Sequence, residues 1–152
     1  MTARLTAVAQ LAVPFTWFGM VLAISFLETP LKFRAPGITV PLGLGIGRLV
    51  FRALNAAELA LAVTLSLAML LAGNAADVDP GGAATTVLIA VWVLLLVQVA
   101  VLRPRLDRRA GQLIHGQTPR RSHLHLTYVA AECAKVVLLP TLGVLLAVRL
   151  LP

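Results

Sequence analysis

The chain has 152 residues, 59% of them hydrophobic and 12% charged, with a formal net charge of +7. Soluble domains average about 45–50% apolar and about 25% charged residues, and a chain this short is mostly surface when it folds in water. That composition excludes an ordinary water-soluble domain and makes lipid the solvent for the excess apolar surface.

The first apolar run goes from about Ala7 to Leu27. It exceeds a signal-peptide core of about 7–15 residues, and no small-residue cleavage site follows it. Glu28-Thr29-Pro30 is expected to end it, and Thr29 to Gly37, with prolines at both 30 and 36, reads as a structured re-entry segment. The second run, from about Leu42 to Ala72, carries Arg48, Arg52, Asn55 and Glu58 in its first half and should stop at Gly73-Asn74. The third, from about Ala83 to Leu102, should end at Arg103-Pro104. The fourth, from about Leu124 to Leu151, has Ser122 as an N-cap and Pro140 as a kink site. Each run reaches the roughly 20 residues that cross about 30 Å of hydrocarbon, whereas barrel strands would be about 10 residues long and strictly alternating. The expected fold is therefore all-α: one domain, residues 1–152, forming an up-down-up-down bundle of four transmembrane helices.

Loop charge sets the expected orientation. The first loop carries Lys32 and Arg34. The second has Asp77 and Asp79 and no base. The third, residues 103–123, carries Arg103, Arg105, Arg108, Arg109, Arg120 and Arg121. Basic loops stay in the cytoplasm, which puts loops one and three inside and both termini outside. Basic residues placed between apolar runs argue for membrane orientation rather than nucleic-acid binding. Eleven arginines against two lysines indicate GC-rich coding, and the expected location is a bacterial cytoplasmic membrane. Within the third loop, Leu106, Ala110, Leu113 and Ile114 fall at helical spacing among basic residues, a pattern that suits either a short surface helix or a solvated topology loop.

The ionisable groups cluster at one depth. Arg48, Arg52 and Asn55 follow i, i+4, i+7, and Glu58 continues their face. His125, Tyr128, Glu132 and Lys135 follow i, i+3, i+7, i+10 on the fourth helix. Glu28 ends the first helix at the same side, and Gln98 lies near that end of the third. Charges at membrane depth are expensive and turn inward to pair. The expected ligand-binding set is Glu28, Arg48, Arg52, Asn55, Glu58, Tyr128, Glu132 and Lys135, arranged as a cup open to the cytoplasm. Because bases outnumber acids, the expected ligand is a small anionic or amphipathic molecule.

Other readings remain open. The charges can form ion pairs that only fix helix packing, in a structural or assembly protein. A small transporter is a further alternative, although a simple pore needs polar lining along its whole length. Tyr128, Glu132 and Lys135 could do acid–base chemistry, but no nucleophile–base pair or nucleotide fingerprint accompanies them, so the enzyme question stays open and no cofactor is indicated. His123, His125, Glu132 and Cys133 are metal-ligand types, and a histidine could hold haem, yet residues two apart on a helix face different ways and the expectation is no metal site. Gly43, Gly45 and Gly47 suit either close helix contact, which offers a surface for a homo-oligomer, or a flexible entry to the second helix.

The segment Arg52-Ala53-Leu54-Asn55-Ala56-Ala57-Glu58 is similar to the second-helix signature of the membrane-associated glutathione and eicosanoid metabolism family, trimeric four-helix membrane enzymes of about this length. The resemblance covers about ten residues. Asn55 and Glu58 keep the family spacing, and Arg48 has the spacing of a second family arginine. Arg52 is one residue too close to Asn55, and the family's Arg and Tyr motif in helix three is absent. The resemblance implies glutathione held by Arg48, Arg52, Asn55 and Glu58, with its thiolate beside an arginine.

Overall fold

A computed structural model describes residues 2–76, 82–117 and 123–150. Four long helices account for nearly all of them, and among the described residues there are no strands. The first, α1, starts as Thr2–Val21, passes through a π-helical stretch, Leu22–Glu28, and ends in a last α-helical turn, Thr29–Lys32. The second, α2, is Val40–Ala76. The third, α3, joins Gly82–Val97, a π-helical stretch Gln98–Leu102, and Arg103–Ile114. The fourth, α4, is Leu124–Leu150 and runs through Pro140 without a break. All four are long and apolar enough to cross a membrane.

Two expected helix ends are corrected. Neither Glu28-Thr29-Pro30 nor Arg103-Pro104 stops its helix. Proline removes one N–H, and its ring collides with the carbonyl four residues back. Here each proline follows a π-helical stretch, where bonds skip five residues and the turn is wider. The Thr29 N–H donates to the Ile24 carbonyl, and the Arg103 N–H to the Gln98 carbonyl. The Thr29 hydroxyl adds a second bond to Ile24 O at 3.0 Å. α1 therefore reaches Lys32, and the expected re-entry segment is a tight turn closed by Arg34 N–H on Leu31 O at 3.0 Å, with Gly37 at φ 80°. The third loop begins as twelve further helical residues. α2 also runs three residues past Gly73, because a glycine near a helix end costs only about 1 kcal/mol. At its start, Thr39 caps the helix, its Oγ1 accepting from Leu42 N–H at 3.4 Å. Ser122 and the Asp77–Asp79 loop lie outside the described residues.

α1 sits between α2 and α4, α3 packs on α4, and the Arg103–Ile114 extension of α3 leans on α2. Large apolar side chains face outward along the helices, among them Leu49, Leu70, Ile89, Val137 and Val148. Only 28% of the most apolar stretch of α3 is buried, the inverse of a soluble bundle, in which the apolar stripe faces the core. The interior is layered. Val13, Leu65, Met69, Ala84, Leu88, Leu142 and Leu146 form one apolar layer. Trp17, Val21, Ala62, Val91, Leu95 and Leu139 form the next. Polar side chains follow, toward the end where Lys32, Arg48, Arg103 and His125 gather, called the basic end below.

Candidate functional site

The polar residues fall into two sets, separated along α2 by the ten residues from Arg48 to Glu58, about 15 Å of helix. The deeper set is a floor of fully buried groups: Glu58 and Lys135 are 0% exposed, Gln98 0% and Glu132 1%. The Lys135 ammonium donates to Oε1 of Glu58 and, at 3.3 Å, to Oε1 of Glu132. The Trp17 indole N–H donates to Glu58 Oε1 at 2.9 Å, and the Gln98 amide to Glu132 Oε1 at 2.9 Å. All four helices thus contribute a side chain to one network. Its spacing explains why: Glu132 and Lys135, three apart on α4, share a face that turns toward Glu58 on α2. One ammonium between two carboxylates leaves the floor short of one positive charge if both carboxylates are ionised.

One turn nearer the basic end, the Tyr128 hydroxyl donates to Asn55 Oδ1 at 3.4 Å, both residues being buried. Tyr128 also meets Phe51 edge to face, ring centroids 5.6 Å apart.

The shallower set is a mouth. A cavity of about 150 Å³ opens between the end of α1, the start of α2, the α3 extension and the start of α4. Its walls include Phe33, Leu44, Phe51 and Leu106, and among them stand Lys32, Arg48 and Arg103. Arg103 lies over the Phe51 ring at 5.3 Å and Lys32 at 5.9 Å, so part of their partnership is with a π face. Glu28 pairs with Lys32 at 3.3 Å. Asp107 is shared between Arg103 at 3.5 Å and Arg48 at 3.8 Å. Three cations against two carboxylates leave one surplus positive charge. Arg103 Nη2 also donates to the Arg48 carbonyl at 2.9 Å. The Nε atoms of Arg48 and Arg103 are buried without a hydrogen bond, and so is Oδ1 of Asp107, which stands 3.8 Å from Arg48 Nε, close enough to pair in charge but too far to hydrogen-bond.

The expected set therefore divides. Glu58, Glu132 and Lys135 come together, and Asn55 and Tyr128 form a pair just above them. Arg48 belongs to the mouth, ten residues from Glu58. Glu28 borders the mouth through Lys32. Arg52 departs from the expectation: it is exposed and makes no ion pair among the described residues. The physical reason is rotation. Asn55 and Glu58 face inward, and Arg52, three and six residues earlier, is carried about 60° and about 120° away from them at 3.6 residues per turn. The four residues that the glutathione-family resemblance offers to one ligand thus do not converge within the chain. His125 lines the cavity while Cys133 is exposed and Glu132 buried. Among the described residues no three His, Cys, Asp or Glu side chains gather as for a metal ion.

Trp17, Phe51, Arg103 and Asp107 were not singled out as site residues from sequence. Asp107 had a legible signal, being the lone acid of the third loop, four residues after Arg103 on a helical stretch. Trp17 had none, since an indole in an apolar run looks like any core residue. The four membrane-length helices and their buried charge define a helical membrane protein. Comparison with known protein families, with curated proteins and with solved structures finds no match.

Proposed function

We propose that this protein binds a small anionic or amphipathic molecule at the mouth of its bundle, while the floor network holds the four helices in register. The observation that carries the reading is the cavity walled by Lys32, Arg48 and Arg103, where three cations meet two carboxylates and the buried Nε–H groups of both arginines lack a hydrogen bond. An anion entering the cavity would neutralise the surplus charge and give the two arginines a further acceptor. The cavity has room for several waters, enough for a phosphate- or carboxylate-sized group. Its largely apolar walls suit an attached hydrocarbon chain.

In this reading the basic end faces the cytoplasm of a bacterial cell, the helices alternate in direction and both termini lie outside, as the charge of the loops favours. α2, with 37 residues, is about 55 Å long against about 30 Å of hydrocarbon. The excess length lets the mouth stand at headgroup level, where anionic lipid is available.

The test is ligand-dependent thermal stability of the purified protein in a neutral detergent. Dihexanoyl phosphatidic acid, dihexanoyl phosphatidylcholine, inorganic phosphate and glutathione are compared. Phosphatidic acid should stabilise the protein by about 2.7 kcal/mol at a concentration 100 times its Kd, and the zwitterionic lipid should not. Inorganic phosphate acting as well as phosphatidic acid would identify a free anion as the ligand. Arg103→Gln and the more exposed Arg48→Gln should each abolish the effect, and Arg52→Gln should leave it intact. Equal responses to all four compounds, or loss of the response in Arg52→Gln alone, would sink the proposal, and a response to glutathione alone would favour the enzyme reading.

A further inference from the structure

We infer that the floor is a proton-binding site, in which Glu58 and Glu132, with Gln98 beside them, hold one exchangeable proton in the middle of the bundle. This goes beyond the anion-binding mouth and does not depend on it.

The hydrogen-bond pattern is one-sided. The side-chain hydrogen bonds that Lys135, Trp17 and Gln98 donate within the floor all go to the Oε1 atom of Glu58 or of Glu132. Glu58 Oε2, Glu132 Oε2 and the Gln98 amide oxygen are buried with no donor. Gln98 is itself fully buried, and its amide is fixed in the cluster through the bond to Glu132. Charge points the same way. Two carboxylates face one ammonium, and a buried charge without a counter-charge neutralises by taking up a proton. Like carboxylates sharing a site hold a proton between them. One proton from the bulk buffer, forming an O–H bond on a carboxylate Oε2, brings the floor to zero net charge. It also adds one donor to a cluster in which three buried oxygens lack one. A hard divalent cation fits less well, since it needs about six or more oxygen ligands and three are free.

There is also a way in. A second cavity, of about 120 Å³, reaches Glu132 between Ser25, Phe26, Thr29, Phe51, His125, Tyr128 and Val129. It shares Thr29, Phe51, His125 and Tyr128 with the mouth cavity. Ser25 lies in the π-helical stretch of α1, and its hydroxyl is buried without a partner, so a water there would have a protein group to bond. The charged or titratable groups facing the floor are Glu58 from α2, Glu132, Lys135 and Tyr128 from α4, and, nearer the mouth, Arg103 from α3 and His125 from α4. Facing the floor itself, α1 presents only the neutral Trp17, Ser25 and Thr29, and the mouth adds Glu28 and Lys32 from α1, Arg48 from α2 and Asp107 from α3.

Infrared spectroscopy of the protein in lipid at neutral pH tests this, because a protonated carboxyl has a C=O stretch separate from that of a carboxylate and shifts in D₂O. The wild type should show one such band, and it should shift in D₂O without unfolding. Glu58→Gln and Glu132→Gln should each lose it, since each leaves one carboxylate against one ammonium. Lys135→Met should show two protonated carboxyls. Absence of the band in the wild type overturns the proposal without any variant, so a variant that fails to fold does not shelter it. Persistence of the band in both glutamine variants overturns it as well. Loss of the wild-type band when potassium is exchanged for sodium would reassign the site to a metal cation.

Discussion

Replacing Lys135 with methionine keeps most of the side-chain volume and removes the only cation of the floor. The ammonium is fully buried and bonds two carboxylates at once. Removing one partner of a buried ion pair costs about 3–5 kcal/mol, and in Lys135→Met that cost falls on protonating the second carboxylate and on losing both hydrogen bonds of the ammonium. At about 2–4 °C per kcal/mol for a chain of this size, Lys135→Met should melt about 6–20 °C below the wild type. Glu132→Gln is the matched control. It leaves Glu58 paired one-to-one with Lys135, and the amide oxygen can still accept from Gln98, so its loss should stay near 1 kcal/mol, the net worth of one hydrogen bond. Thermal unfolding in a fixed detergent, followed by tryptophan fluorescence, reads both, since Trp17 bonds Glu58 directly. A Lys135→Met protein that melts with the wild type, or a Glu132→Gln protein that falls as far as Lys135→Met, would refute the view that the floor is one charge-balanced network spanning the bundle.

Two further outcomes are expected. A Cβ at Gly143 would lie 2.7 Å from the Phe15 ring, whereas one at Gly45 would meet nothing within 4 Å; Phe15 is exposed and its ring must swing aside, so Gly143→Ala should fall short of the about 0.5–1 kcal/mol of helix propensity that Gly45→Ala gains, with equal melting temperatures counting against this packing. In a Cys133→Ala background, a membrane-impermeant maleimide applied to intact cells should label a cysteine placed before Thr6 and should reach one at Ala35 only after permeabilisation, and the reverse pattern would invert the proposed topology.

The helices were legible from residue types alone, because in lipid every backbone polar group must be satisfied within its own segment and apolar length then identifies the spans. Helix α4 agrees closely with its expected bounds, Leu124 to Leu151 against Leu124–Leu150. The ends at Pro30 and Pro104 were not legible. Proline reads locally as a stop, and whether a π-helical turn absorbs it depends on how the wider turn packs against neighbouring helices.

Periodicity likewise placed Glu58, Glu132 and Lys135 on inward faces, since charge at that depth has nowhere else to go. It could not separate Arg48 from Glu58, or show that Arg52 turns outward, because a stripe along one helix specifies direction to within tens of degrees and says nothing about what the facing helices supply. Trp17 and Gln98 reach the floor from α1 and α3, and Asp107 reaches Arg48 across more than fifty residues of chain. Composition and spacing by themselves determined a four-helix membrane-length chain with its charge gathered toward one depth. Only the tertiary structure divided that charge into a floor of two carboxylates around one ammonium and a mouth of three cations around two carboxylates, because that division depends on which atoms of different helices come close together.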